Sequence, residues 1–248
     1  VVTTVRSFKD RILIDEYILR KIGSIADELG VEVYAVGGYV RDHYLKRERT
    51  DFDCTVVGDS IAFAKEVAKR LKTKPVIYER FRTAMVPDGD RNIEFVGTRK
   101  EEYKKNSRKP IVTEGNLIDD LRRRDFTINA MAACLNKRYM GQVVDHFGGY
   151  TDLNKRILRT PVDPDTTFSD DPLRMMRAAR FAAQLRFDVD PKCIAAITQM
   201  SDRIKIISQE RISDEFLKML KSPKPSIGLQ ILYDTGLLKR IFPELNEL

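Results

Sequence analysis

Apolar residues recur at helical intervals through Ile14, Ile18, Ile22, Ile25 and Leu29 before Gly30, so the pattern predicts a helix over 12–29. Residues 31–36 then read as a strand, and Gly37-Gly38 breaks it before an amphipathic stretch from Tyr39 to Leu45. The local order is strand, glycine turn, short helix. A second strand is expected over 51–57, a helix over 61–71 and further strands over 75–78, 83–86 and 92–96, with Asp88-Gly89-Asp90 folding the last two into a hairpin. Thr98 to Glu114 (TRKEEYKKNSRKPIVTE) is densely charged and weakly periodic, which reads as a loop. Helical spacing returns over 117–134, followed by a short strand over 143–145 and a turn at Gly148-Gly149.

After Asp152 the pattern is helical throughout, over 167–185, 191–200, 210–220 and 226–238, with proline-containing breaks between. The expected fold class is therefore α+β: a mixed-sheet head over 1–150 followed by an all-helical part over 151–248. No internal repeat or low-complexity tract interrupts it. With 248 residues and 42% apolar content, each part can bury a core.

Charge and cysteine usage narrow the function classes. A net charge of +7 favours a polyanionic partner. Three cysteines, Cys54, Cys134 and Cys193, lie far apart without a CxxC, which fits neither a disulfide framework nor a cysteine-rich zinc site, and points to a reducing cytoplasm. The two histidines, His43 and His146, are too widely separated for an HExxH zinc hydrolase. Neither a signal-type apolar segment near Val1 nor a membrane-length run is present, so no membrane partner is expected.

The candidate chemistry lies on the second strand. Side chains alternate along a strand, so Asp51 and Asp53 project from one side, about 7 Å apart along the backbone. Two such acids, with Glu94 as a third, suit a centre of two Mg²⁺ ions that activates a hydroxyl nucleophile and stabilises a leaving pyrophosphate. A solvated strand face is the plain alternative for the same DxD. Upstream, Gly37-Gly38 lets backbone N–H groups approach a phosphate, with Arg41 close by; the alternative is a tight connection with an Arg41-Asp42 ion pair.

GGYVRD (37–42) followed by DFD (51–53) resembles the head of the nucleotidyltransferases related to DNA polymerase β. The resemblance is to the class II group that holds tRNA CCA-adding enzymes and bacterial poly(A) polymerases. Later blocks agree in order. Arg122 to Ala130 (RRRDFTINA) resembles the block that contacts the ribose and triphosphate, implying roles for Arg124, Asp125 and Asn129; arginines beside an acid and an amide supply phosphate donors and hydroxyl partners together. DHFGGYTDL (145–153) is similar to the hinge-like linker between head and neck. FSDDPLRMMRAARF (168–181) resembles the neck block EDxxR, with Asp170 where the family commonly has Glu.

That resemblance implies that Asp171 and Arg174, three apart, read a base. A carboxylate accepts from an exocyclic amine and a guanidinium donates to a ring nitrogen, which matches cytosine and adenine and leaves both groups unpaired against guanine or uracil. Helix capping by Asp171 before Pro172 is the competing reading. Arg177 and Arg180 extend the basic face toward triphosphate or RNA, or else serve as ion-pair partners. QERISDEFLKML (209–220) looks like the closing block ERxxxE, with a bracing role expected for Glu210, Arg211 and Glu215.

The resemblance spans Val31 to Leu220 and implies a polymerase β-like head with a helical neck and body, Mg²⁺ at Asp51 and Asp53, CTP and ATP as substrates and the 3′ end of tRNA as partner. Family members usually continue past a point equivalent to Leu248 into further body and tail, and Val1 in place of Met suggests trimming. CCA addition is the first expectation. Poly(A) polymerase is the second, disfavoured because IYERFRTA (77–84) lacks the expected Gly and carries Glu79. CC-only and A-only addition share the same motifs. From another class, a catalytically silent RNA-binding module would keep the basic surface without turnover. None of these motifs specifies an oligomeric state.

Overall fold

The computed structural model describes residues 8–48, 52–102 and 111–246. They divide into two compact units, one of Val1–Lys100, Val112–Arg122 and Ile128–Gly149, the other of Glu101–Ile111, Arg123–Thr127 and Tyr150–Leu248.

The first unit is built from β1 (Phe8–Arg11), α1 (Tyr17–Leu29), β2 (Glu32–Val36), α2 (Gly38–Tyr44), β3 (Phe52–Val57), α3 (Ser60–Leu71), β4 (Val76–Tyr78), β5 (Thr83–Asp88) and β6 (Arg91–Gly97). After β7 (Arg99–Glu102) and β8 (Ile111–Glu114) come α4 (Leu117–Arg122), β9 (Ala132–Cys134) and β10 (Gln142–Val144). Eight strands form one mixed sheet in the order β1-β10-β9-β2-β3-β6-β5-β4. β3 and β6 run parallel, whereas their other neighbours pair antiparallel.

Alternation sorts the side chains of this sheet onto two faces. Val33, Ala35, Cys54, Val56, Phe95 and Ala84 point to one side and join Ile22 and Ile25 of α1 and Phe63 and Val67 of α3 in the main core. Val36, Ala132 and Val144 point to the other and meet Leu117 and Leu121 of α4 in a smaller cluster. The second face is apolar near β9 and β2 and turns polar at β3 and β6.

Three expectations from periodicity are corrected here. The helix expected from residue 12 begins at Tyr17, because Ile12 and Ile14 are spaced two apart and bury as extended chain, with the Ile12 N–H donating to the Gly141 carbonyl at 2.8 Å. The helix expected over 117–134 ends at Arg122 and gives way to a single turn over 127–129 and then β9. Phe126, Ile128 and Ala130 to Ala133 are all fully buried, so burial on every side erased the period that separates helix from strand. The charged run 98–114, expected as a loop, carries β7 and β8, which pair as a separate two-stranded sheet; β-branched Ile111, Val112 and Thr113 favour extended backbone whatever the charge around them.

Beyond α5 (Gly149–Lys155), the second unit contains the two-residue strands β11 (Ile157–Leu158) and β12 (Asp188–Val189), which pair parallel, and seven helices: α6 (Pro164–Asp170), α7 (Leu173–Leu185), α8 (Pro191–Met200), α9 (Gln209–Leu220), α10 (Pro225–Asp234), α11 (Leu237–Ile241) and α12 (Pro243–Asn246). α7 is the central helix, packed on α9 and α10. The single helix expected over 167–185 is two, because Pro172 has no N–H and forces Asp171 out of helical geometry, at φ −139° and ψ 99°. The one expected over 226–238 is likewise broken, at Gly236 with φ 72°. Among the described residues no helix is long and apolar enough to cross a membrane.

All three cysteines are buried and free. Burial pushes each thiol up, that of Cys134 to about 11. Labelling with a thiol reagent at pH 8 is therefore expected to be slow in the folded protein and complete in denaturant. A thiol whose pKa is higher folded than unfolded keeps its proton in the native state after the unfolded chain has lost it. Its stabilising contribution is full below about pH 9 and is lost as the pH rises toward 11 at Cys134. Denaturant titrations at pH 8 and pH 10 check the sign: midpoints that rise with pH would contradict it.

Candidate active site

The parallel register of β3 and β6 sets Asp53 beside Glu94. Both side chains lie on the face opposite Cys54 and Phe95, both are half-buried, and one strand spacing of about 4.8 Å separates their backbones. They offer hard oxygen donors, which suits Mg²⁺. Asp51 lies outside the described residues. Among the described residues no group of three or more His, Cys, Asp or Glu side chains converges.

A buried carboxylate that the sequence reading passed over stands behind this pair. Thr55, the next residue of β3 on the Asp53 face, is fully buried and its Oγ1 donates to Asp120 Oδ2 at 3.2 Å. Asp120 is itself fully buried on α4. The available signal was its placement on the apolar face with Leu117 and Leu121, three and one residues away, where an acid needs a partner.

At the end of β2, Gly37 adopts φ 65° and ψ −118°, a backbone conformation open only to glycine. Its N–H donates to the Met131 carbonyl at 3.2 Å. Arg41 is nearly buried: Nη1 donates to Asn129 Oδ1 at 2.8 Å, and Nε and Nη2 donate to Asp42 at 2.9 and 2.7 Å. The sequence-predicted Arg41 and Asn129 are thus brought together, and the Arg41-Asp42 ion pair forms as well.

The RRRDFTINA block is divided between the units, with Asn129 in the first and Arg123–Thr127 in the second. In the second unit Asp125 is buried; its Oδ1 accepts from the Phe126 N–H at 2.8 Å and its Oδ2 accepts from Arg177 Nε and Nη2 at 2.7 and 2.6 Å. Arg177 Nη1 also lies 3.5 Å from Glu215, and Arg180 Nε donates to Glu215 Oε2 at 2.5 Å. Asp125, Arg177, Glu215 and Arg180 therefore form one chain of alternating charge across α7 and α9, with the two acids buried and the two arginines partly so. Burial disfavours both cations; at Arg177 the two carboxylates outweigh it and the pKa is raised, while at Arg180 burial prevails over Glu215, with the Arg177 charge adding to it, and the pKa is lowered.

Arg174 is buried at the start of α7, its Nη1 donating to the Thr167 carbonyl at 3.3 Å and its Nη2 to the Arg123 carbonyl at 2.5 Å. Asp171 stands before the helix instead of on its face. Its Oδ1 accepts from the Leu173 N–H at 3.2 Å, the capping contact, and its Oδ2 lies 3.9 Å from Arg211. Arg124 is half-buried, and Glu210 is exposed.

Both units resemble known proteins. Residues 33–159 match the model of the poly A polymerase head domain, and residues 186–248 match that of a probable RNA and SrmB-binding site of polymerase A. A CCA-adding enzyme of Lactobacillus helveticus is 39% identical over 234 residues, 89% of this chain and 57% of that protein. An A-adding tRNA nucleotidyltransferase of Geobacter sulfurreducens is 36% identical over 233 residues, 92% of this chain and 26% of that protein. The chain thus spans from about a quarter to somewhat over half of these relatives. Among solved structures, a CCA-adding enzyme in its apo form II aligns with TM-score 0.83 at 33% identity, over 93% of this chain and 55% of that one. The Thermotoga maritima CCA-adding enzyme complexed with tRNA aligns with TM-score 0.78 at 31% identity, over 92% of this chain and 52% of that one. With its mixed-sheet head and helical second unit, this chain belongs to the poly(A) polymerase head-domain family, the class II nucleotidyltransferases of the polymerase β superfamily.

Proposed function

We propose that this chain carries the catalytic head and nucleotide-selecting neck of a template-independent RNA nucleotidyltransferase that adds CCA to the 3′ end of tRNA from CTP and ATP in the cytoplasm. The observation that carries the reading is the Asp53–Glu94 pair, set side by side by the parallel β3–β6 register on the polar part of the sheet. Asp53 and Glu94, with Asp51, would hold Mg²⁺, which lowers the pKa of the attacking hydroxyl and neutralises charge on the phosphates. The RNA 3′-hydroxyl attacks the α-phosphorus, the bond to the β-phosphate oxygen breaks, and pyrophosphate leaves. Gly37, Gly38, Arg41 and Asn129 hold the nucleotide on the β2 side; Arg124 and Asp125 contact its ribose and triphosphate. Asp171 and Arg174 read the base edge, and Arg177 and Arg180 support them through Asp125 and Glu215.

For Asp171 the Oδ1 contact to Leu173 makes Oδ2, which lies 3.9 Å from Arg211, the atom that accepts from an exocyclic amine. A site built on one acceptor and one guanidinium is expected to use GTP and UTP roughly 10- to 100-fold less efficiently than CTP and ATP. Single-nucleotide extension with Mg²⁺ of a tRNA lacking CCA, and of oligo(A), checks this with each triphosphate alone and then all four together. Addition of C, C, A and a stop establishes CCA addition; equal use of GTP would overturn the base-reading pair. A single A added to a CC-ending tRNA would establish A-only addition, the activity in the name of the 36% identical Geobacter sulfurreducens relative. A long A tail would identify a poly(A) polymerase, and RNA binding without extension a silent module.

A further inference from the structure

The strand register carries the active-site face sideways to an exposed apolar shelf. Glu94 pairs with Met85 of β5, and Met85 with Val76 of the edge strand β4, so Val76, Met85, Glu94 and Asp53 form one row on one face. Tyr78 stands on the same face one alternation further along β4. Ile77, between them, points into the core on the opposite side. Val76 is 50% exposed and Tyr78 45%, unusual for the edge of a sheet whose other face is so thoroughly buried. From Glu94 to Val76 is two strand spacings, about 10 Å.

Sheet order assigns a direction to the reaction. Gly37, Gly38, Arg41 and Asn129 belong to the β2 and β9 flank of the carboxylates, whereas Val76, Met85 and Tyr78 belong to the β5 and β4 flank. In an in-line displacement the attacking oxygen enters opposite the leaving pyrophosphate. If the triphosphate lies on the β2 flank, the RNA strand that brings the 3′-hydroxyl arrives across β5 and β4. The edge it meets is cationic on balance: Lys72 and Lys74 are exposed on the chain leading into β4 and Arg82 follows it, against one exposed acid, Glu79.

We infer that Tyr78, backed by Val76 and Met85, is a stacking platform for the single-stranded nucleotides just behind the reacting 3′ end of the RNA substrate. Aromatic faces beside cations bind single strands without choosing sequence, because every base has a π-face and every linkage a negative charge. That tolerance suits a strand whose terminal base changes with each addition. The inference rests on the proposed nucleotidyl transfer, and its failure can be told apart from the failure of that reading.

The test uses the whole chain and a tRNA acceptor minihelix lacking its terminal adenosine, with 2-aminopurine as the penultimate nucleotide. Tyr78→Ala is expected to raise the KM for this RNA about tenfold, with the KM for ATP and kcat nearly unchanged, and to weaken quenching of the 2-aminopurine. Tyr78→Phe keeps the ring without the hydroxyl and should restore both values. An unchanged RNA KM and unchanged quenching in Tyr78→Ala, with ATP incorporation intact, would overturn the platform and leave nucleotidyl transfer standing. No incorporation by the unaltered chain, together with quenching that Tyr78→Ala abolishes and Tyr78→Phe keeps, would sustain the platform and overturn the activity.

Discussion

Asp53→Asn is expected to lower the rate of nucleotide incorporation at least about 10³-fold while leaving RNA binding within twofold of the unaltered protein. The substitution keeps the shape of the side chain and removes one charged ligand, and several kcal/mol of charge stabilisation correspond to that loss in rate. Folding should not suffer, because Asp53 is half-buried on the polar part of the sheet and Asn matches it in size and shape. Glu94→Gln is expected to fall in the same range. If both acids serve one metal centre, the double variant is no worse than the poorer single one, since groups acting as a unit are not additive. Single-turnover rates at saturating Mg²⁺ for the four proteins decide the matter. Full activity in Asp53→Asn would overturn the metal assignment, and a double loss equal to the product of the single losses would show that the two acids act separately.

Glu215→Ala is expected to produce the largest loss of stability, about 3–5 kcal/mol, or roughly 10 °C in Tm. Glu215 is 6% exposed and takes contacts from both Arg177 and Arg180. Removing it leaves Arg180 buried beside Arg177 with no carboxylate between them, whereas Arg177 keeps Asp125. Lys218→Ala on the solvent side of α9 breaks only an exposed pair at 4.0 Å with Asp214 and should change little. Thermal unfolding followed by circular dichroism or calorimetry compares the two. A Glu215→Ala loss no larger than that of Lys218→Ala would mean that the buried charges find other partners or water. Because Arg177, the arginine that holds Asp125, also contacts Glu215, the proposed nucleotide contacts of Asp125 should loosen, seen as a higher KM for ATP.

Much of this was readable from spacing alone. β2, α3, β5 and β6 lie within a few residues of where alternation and helical period put them, and the turn at Gly89 joins β5 to β6 as a hairpin. GGYVRD, DFD and RRRDFTINA identified the family, since those residue types at those separations answer to metal and phosphate chemistry. The misreadings share a cause. Residues 126–135 are buried on every side and have no polar face to mark a period; 98–114 hid β-branched pairing residues inside a charged run; and Asp171-Pro172 interrupts a helix that apolar spacing alone carries straight through.

The sequence by itself determined the alternation that puts Asp53 on the face opposite Cys54, the glycine that alone can turn the chain after β2, and the charge available for a polyanion. Only the tertiary structure decided which strand lies beside which. Glu94 becomes a neighbour of Asp53 because β3 and β6 pair in parallel across 40 intervening sequence positions, and the same register carries the polar face on to Val76. It likewise decided that Arg177 and Arg180 face Glu215 across two helices, and that Asp120 sits behind Thr55. Those choices depend on hydrogen-bond register and on burying charge in pairs, and both are properties of chains brought together, which no local pattern contains.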